Sequence, residues 1–351
     1  MVQLQNDIRF TKEVQISLQK ELARASYSAV FVLVDDNTLA HCLPLVIEGL
    51  PEDYQVITIP AGEAHKTITT CQKIWQALTD GQADRHALMI NLGGGVICDM
   101  GGFCARTYKR GIDFWNVPTT VLSQVDASVG GKLGVDFGSY KNHLGLFSEP
   151  NIVFIDPVFF KTLPNEEIVS GFAEMVKHTL ISDVAGFEEI CKEDLRVINW
   201  ANWLPRSVQI KKAVVEADPT EQGRRKILNF GHTIGHAIES YFLETTRPLK
   251  HGEAIAVGMI TECYLSSKML DFTEEDYRKV ARFLADTFPM PEIPAKAIET
   301  IAGLATHDKK NKDGVINAVL LSAIGAPEID VPITKSAIEE SLQAYNQAFA
   351  R

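Results

Sequence analysis

Two histidines one helical turn apart, His232 and His236, lie in the run Asn229-Phe230-Gly231-His232-Thr233-Ile234-Gly235-His236-Ala237-Ile238-Glu239. Imidazoles at i and i+4 point the same way, so they can share a metal ion, or one can ligate while the other moves protons. Read as one helix at about 100° per residue, the stripe also takes in Arg225 and Asn229. The opposite face is apolar, with Phe230, Ile234, Ala237, Ile238 and Tyr241 at helical spacing. A solvated stripe would mix Lys and Glu, whereas this one offers two imidazoles, an amide and a guanidinium. An isolated pair of this kind is more often plain structure, so the chemistry needs further donors. Glu174, Lys177 and His178 provide them at i, i+3 and i+4 among Phe172, Met175 and Val176, and His251 opens another helical stretch. Glu174, His232 and His251 would give one carboxylate and two imidazoles from three helices. Three protein ligands with a fourth position open suit a catalytic zinc rather than a structural one. His178 and His236 are rival ligands that spacing does not rank.

A second constellation lies in the first half. The apolar run Ala87–Leu92 ends in Gly93-Gly94-Gly95-Val96-Ile97-Cys98-Asp99. Glycines between a buried strand and a helix let backbone N–H groups approach a pyrophosphate. The spacing is neither GxGxxG nor the Walker pattern with its Lys. Further on come Thr119 and Thr120, then Gly130-Gly131-Lys132, and then Lys141 and Asn142. This stretch reads as loop-rich and places two ammonium groups where an anion could sit. Arg110 could add a bidentate phosphate contact.

The elements that must position these groups are legible from periodicity. Ala29–Val34 is a continuous apolar run ending in Asp35-Asp36-Asn37, and Gln55–Ile59 runs into Pro60-Ala61-Gly62-Glu63-Ala64-His65-Lys66. Such runs are fully buried, parallel strands. Trp115–Leu122 and Asn151–Asp156 continue the series, with Asn151–Asp156 the last clear strand, and helical stretches such as Thr69–Thr79 lie between. Strand–helix alternation predicts a doubly wound α/β domain that collects ligands at the strand carboxyl ends. There Asp35, or its neighbour Asp36, can accept from ribose hydroxyls and repel a 2′-phosphate, which favours NAD over NADP. Pro157 and Pro164 bracket a boundary near residue 162. Residues 163–351 then read as mostly helical, over 166–181, 208–215, 228–242, 252–270, 274–287 and 333–349, with Val315–Leu321 a possible strand.

The whole chain narrows the function classes. A net charge of −11 argues against nucleic acid or an anionic membrane as the main partner, though not against a small anion met by local cations. Six Cys without a CxxC pair read as reduced thiols, and no apolar run reaches the roughly 18 residues of a membrane helix. With no signal-peptide core near the N-terminus, a cytoplasmic protein is expected.

The stretches GGGVICDMGGF (93–103), RG (110–111), PTTVLSQVDASVGGK (118–132), KN (141–142), TLP (162–164), GFAEMVK (171–177), LNFGHTIGHAIE (228–239), HGEAIAVGM (251–259) and DKKN (308–311) together resemble the 3-dehydroquinate synthase family. The resemblance implies an NAD-binding α/β domain followed by a helical metal-carrying domain. It implies Glu174, His232 and His251 as ligands of a divalent metal, zinc or cobalt. It implies NAD contacts from Gly62, Glu63, Lys66, Gly94, Gly95, Asp99, Thr119, Thr120, Lys132, Lys141, Phe159 and Thr162. Asp35, Asn37, Val96 and Cys98 are expected beside them. Arg110, Lys132, Asn142, Lys177, Lys211, Arg225, Asn229, His236 and Lys309 are implied as the substrate and phosphate shell. The family's substrate is a seven-carbon keto-sugar-acid phosphate (DAHP). It is oxidised at one alcohol by NAD⁺, loses phosphate by β-elimination, takes its hydride back and closes by an intramolecular aldol step. A homodimer is the expected assembly. Other sugar-phosphate cyclases and glycerol-dehydrogenase-like oxidoreductases are the alternatives on this architecture. Two positions depart from the family. Asp218-Pro219-Thr220-Glu221 has Pro where the family often has Glu, and Cys98 stands where it usually has Gly.

Overall fold

The computed structural model describes residues 7–138, 140–306 and 315–349 of the chain. They form two compact units, the first taking the described residues up to 164 together with 200–212, the second 165–199 and the described residues from 213 onward. The first unit thus ends two residues beyond the expected boundary and takes back a segment that the sequence reading assigned to the second.

In the first unit the strands are β1 (Asp7–Phe10), β2 (Val30–Asp35), β3 (Gln55–Ile59), β4 (Leu88–Gly93), β5 (Asp113–Pro118), β6 (Lys132–Phe137), β7 (Tyr140–Phe147) and β8 (Ile152–Ile155). Helices α1 (Val14–Leu22), α2 (Asp36–His41), α3 (Leu43–Val46), α4 (Ile68–Asp80) and α5 (Gly95–Thr107) connect them. Six strands build one sheet in the order β1-β8-β5-β4-β2-β3, every pair parallel. Its faces carry separate cores. Phe31, Leu33, Met89 and Phe114 pack on one side with Ile74 and Met100; Val30, Val32, Val34, Ile90 and Trp115 pack on the other with Val14 and Leu18. Burial on both faces is why β2 and β4 read as unbroken apolar runs. The fold is the doubly wound α/β arrangement.

Three local readings change. The stretch after Gly131 is an antiparallel hairpin, β6–β7, rather than a loop. β7 is exposed at most positions, so it carries no apolar run. The strand expected to reach Leu122 stops at Pro118, where Thr120 Oγ1 accepts from Ser123 N (3.0 Å) and starts a helical turn. β1 had no periodic signal because it is a four-residue edge strand.

The second unit is built from α6 (Asn165–Ser182), α7 (Val184–Ile190), the end of α8 (Trp200–Ala217), α9 (His232–Leu243), α10 (His251–Met269), α11 (Glu274–Thr287), α12 (Ala295–Thr306) and α13 (Lys335–Phe349). A hairpin of β9 (Ile316–Ala323) and β10 (Ala326–Ile333) joins them. β9 realises the possible strand. β10 was not anticipated, hidden by Pro327, Glu328, Asp330 and Pro332. The expected helix 228–242 is broken. Arg224–Asn229 is a 3₁₀ helix, and Gly231, at φ 78°, turns the chain before α9 begins at His232. Arg225 and Asn229 therefore do not share a helical stripe with His232 and His236. No described helix is long and apolar enough to cross a membrane.

Candidate active site

In the first unit the carboxyl ends of β2, β4 and β5 carry Asp35, Gly93 and Pro118. Gly94 is the N-cap of α5 and has no side chain to cap it, so the first-turn amides of Gly95 and Val96 are left for a ligand. A Cβ on Gly94 would meet Thr120 Cγ2 at 3.3 Å, and one on Gly95 would meet the Ala127 methyl at 3.4 Å. Bare backbone at this turn fits a pyrophosphate. Gly62 has φ 107° and open space where a Cβ would lie, and the 3₁₀ turn Glu63–His65 follows it. The Lys66 ammonium is buried and donates to Asp99 Oδ2 and Asn142 Oδ1, each at 2.7 Å. Asp99 thus neutralises Lys66, and the hairpin residue Asn142 is tied to the same ammonium.

The other residues expected at the cofactor divide by exposure. Asp35 caps α2, its Oδ1 accepting from Thr38 N at 2.8 Å, and Asn37 is exposed in the first turn of that helix. Thr119 is buried, its N–H given to Gly93 O (3.0 Å). Phe159 is a core side chain, 1% exposed, so only its backbone can reach a ligand; its carbonyl faces Thr162 N and Oγ1 at 3.5 Å. Cys98 points inward as well, its thiol pushed up to about 12 by burial, with Ser128 Oγ donating to its sulfur. Lys132, Lys141 and Arg110 are exposed, and Arg110 lies in a run of three positive-φ residues, 109–111. Lys211 is buried and donates to Asp126 O (2.6 Å) and Oδ1 (2.5 Å).

In the second unit three elements converge. Glu174 from the middle of α6 is buried, and its Oε1 lies 3.4 Å from His232 Nε2 and 3.6 Å from His251 Nε2. His232 and His251 are the first residues of α9 and α10. His232 Nδ1 faces Phe230 O (3.0 Å) and His251 Nδ1 faces Glu239 Oε2 (3.2 Å). Each outer nitrogen is therefore occupied, which fixes the ring and turns Nε2 toward the carboxylate, as in metal-ligating histidines. All three donor atoms lie within 4.8 Å of one another. This donor set fits a zinc-like ion, and the fit rests on the orientation of both rings. His236 is edge-on to His232, with centroids 4.9 Å apart, and with Glu239 and His251 forms a second group of the same compactness. His178 is fully buried, and its ring also comes within 4.8 Å of Glu174.

Charges around this cluster are paired. Lys177, 2% exposed, forms an ion pair with Glu174 Oε2 one turn away. Burial opposes a charge on His251, but hydrogen bonding and charge from Glu174 and Glu239 outweigh it and push its pKa up to about 10. Arg225 is buried and donates from Nη1 to Pro219 O (2.7 Å), and Asn229 donates to Glu221 Oε1 (3.0 Å). At position 219 this chain thus offers Arg225 a carbonyl and no carboxylate. Asp218 accepts from the N–H groups of Gln222, Gly223 and Arg225, and these outweigh burial to hold it below the usual carboxylate range. Lys309 lies outside the described residues. Glu239 was not anticipated as the partner of His251. Its signal was its place seven residues after His232, on the same side of the helix as both histidines.

Comparison with known proteins agrees with the motif reading. Residues 56–170 match the model of the 3-dehydroquinate synthase N-terminal domain, and residues 171–311 match that of the C-terminal domain. A 3-dehydroquinate synthase of Parabacteroides distasonis is 42% identical over 343 residues, 96% of this chain and 97% of that one. One from Acaryochloris marina is 40% identical over 327 residues, 90% of this chain and 87% of the other. Among solved structures, a 2-deoxy-scyllo-inosose synthase complexed with carbaglucose-6-phosphate, NAD⁺ and Co²⁺ superposes with TM-score 0.83 at 26% identity, over 96% of both chains. A glycerol dehydrogenase of Schizosaccharomyces pombe shares the fold alone, with TM-score 0.64 at 13% identity over 99% of this chain and 90% of that one. With both family models matched end to end across residues 56–311 and a full-length relative at 42% identity, the chain belongs to the 3-dehydroquinate synthase family.

Proposed function

We propose that this chain converts DAHP into 3-dehydroquinate and inorganic phosphate, as a phosphate-eliminating lyase that depends on NAD and a divalent metal. The observation that carries the reading is the Glu174, His232 and His251 donor set with the buried ammonium of Lys177 against it. A full-length relative named 3-dehydroquinate synthase supports it. So does the cyclase of the same fold that holds NAD⁺, Co²⁺ and a sugar-phosphate analogue.

In this reading Glu174, His232 and His251 would hold the metal. The amides of Gly95 and Val96, with Gly94, Thr119 and Thr120 nearby, would take the cofactor's pyrophosphate, and Asp35 or Asn37 its ribose. When bound, NAD⁺ provides a reversible hydride acceptor and the divalent ion polarises an alcohol or ketone oxygen. Lys177 meets the substrate carboxylate, and Arg225 and Asn229 bind its oxygens. His236 sits beside both ligand histidines and moves protons at a substrate hydroxyl. Arg110, Lys132, Asn142, Lys141 and Lys211 are the cations and amide of the first unit for phosphate and cofactor. Lys309 belongs with the substrate shell by its motif. The net change breaks one C–O bond to phosphate and closes one C–C bond with no net oxidation, so NADH is not a product. A homodimer in the cytoplasm is proposed with it, and six free cysteines suit a reducing compartment.

The test is a phosphate-release assay on the zinc-loaded chain with NAD⁺ and DAHP, sedoheptulose 7-phosphate or glucose 6-phosphate, with absorbance at the NADH band followed throughout. Phosphate release from DAHP alone, without NADH build-up, is expected. A substrate without the carboxylate leaves Lys177 desolvated beside one partner fewer, at a cost of several kcal/mol. Comparable rates on either neutral sugar phosphate would overturn the DAHP assignment. Stoichiometric NADH would make the chain a dehydrogenase.

A further inference from the structure

Gly231, the N-cap of α9, has no side chain to satisfy the first-turn N–H groups, and a Cβ there would run into Met259 Cγ at 2.6 Å. A carboxyl from another helix takes over that task. Glu262 of α10, completely buried, accepts from Gly231 N through Oε2 (2.6 Å) and from Ile234 N through Oε1 (3.2 Å). In an ordinary capping box those two N–H groups, at N-cap and N3, are satisfied by two side chains of the helix itself. Here one side chain does both from outside. The approach is possible because α10 crosses α9 at Gly258, where a Cβ would lie 2.0 Å from Gly231 O. Glu262 follows one turn later on the same face.

We propose that Glu262 is a positioning residue that fixes His232 relative to His251. The proposal rests on the reading of Glu174, His232 and His251 as metal ligands. His232 is flanked by the two amides that Glu262 holds, and His251 begins the helix that carries Glu262. The bracing is reciprocal: Glu239 of α9 holds the His251 ring, and Glu262 of α10 holds the backbone that carries the His232 ring. A glutamine of the same shape cannot replace it, because its NH₂ would face one of two N–H donors.

The full-length chain is stripped of metal, and Zn²⁺ affinity is measured by competition with a chromophoric chelator for the parent, Glu262→Gln and Glu262→Asp. Visible ligand-field spectra of the Co²⁺ forms report ligand geometry, and NAD⁺ affinity reports the state of the first unit. Glu262→Gln is expected to bind Zn²⁺ about 10- to 100-fold more weakly, the usual loss for a group that orients a ligand. Its Co²⁺ bands should move while NAD⁺ binding is unchanged. Glu262→Asp, which keeps two acceptor oxygens, should recover part of the affinity. Metal affinity and Co²⁺ spectrum both matching the parent would overturn the proposal. Failure of both variants to fold would also overturn it, in favour of a purely structural role. His232→Ala separates this proposal from the reading beneath it, since undiminished metal affinity there means that the ligand assignment is wrong.

Discussion

The closest backbone contact around the donor set gives the sharpest test. Replacing Gly258 by Ala would place a Cβ 2.0 Å from Gly231 O, 2.8 Å from Gly235 N and 2.9 Å from Gly235 Cα. All three are backbone atoms, so no rotamer change relieves the clash. Reaching ordinary contact at 3.4 Å means opening the α9–α10 crossing by more than 1 Å. Overpacking of this kind costs about 3 kcal/mol when the neighbour cannot give way. In a unit of this size that lowers Tm by about 6–12 °C. The displaced helix begins with His232, and a shift of about 1 Å at a catalytic constellation costs about 100-fold in rate. Gly303→Ala is the control, because a Cβ there meets nothing within 4 Å and the residue is helical. It should stabilise by about 0.5–1 kcal/mol. Thermal unfolding followed by circular dichroism, with phosphate release on the same samples, measures both effects. A Gly258→Ala protein that melts with the parent and turns over within twofold would refute the packing argument.

Other outcomes follow from the same geometry. His251 must lose its proton to ligate, so with its pKa pushed up to about 10, zinc affinity should rise about tenfold per pH unit and flatten near pH 10. Zinc titrations at pH 6, 7 and 8 measure that slope. The metal-free chain should run the other way, because a raised histidine pKa contributes stability below about pH 6.5 that is lost as pH rises through about 10; melting temperatures across that range test it. Lys66→Ala leaves Asp99 without its ammonium, at about 3 kcal/mol, the low end for a buried pair since the Asp99 side chain keeps 19% exposure. Its Tm and NAD⁺ affinity should both fall, and no change in Tm would show that the pair contributes little. Asp35→Ala removes the cap on α2, about 1 kcal/mol. It should also narrow the preference for NAD⁺ over NADP⁺ measured by calorimetry; a parent that binds the two cofactors equally would contradict that preference.

The parts of the fold legible in the sequence are those where one force dominates. β2 and β4 announce themselves because burial on two faces leaves little place for polar side chains, whereas the edge strand β3 buries only Ile57 and Ile59 and was legible by its parallel to β2. The polar groups at the strand ends marked the ligand side of the sheet. β7 and β10 were hard to read because β7 is solvated at most positions and β10 carries proline and charge. The segment 200–212 could not be assigned to the first unit, since a helix's period does not say which core it joins. Among site residues, the motif reading named Glu174, His232 and His251, and the structure brings all three together. Glu239 and Glu262 escaped it because a glutamate on a helix looks like any solvated one until a partner from another element is known.

The broken helix at Gly231 explains why the histidine stripe misled and how the donor set is built. In a continuous helix Phe230 O would accept from Ile234 N. The left-handed glycine removes that bond and leaves one carbonyl and one N–H unspent. Phe230 O then takes His232 Nδ1 at 3.0 Å, and Ile234 N goes to Glu262 at 3.2 Å. One glycine thus fixes the ring through its outer nitrogen and hands the helix terminus to a buried carboxyl. A regular helix would have kept both groups for itself, and His232 would have pointed along the stripe with nothing to hold its ring.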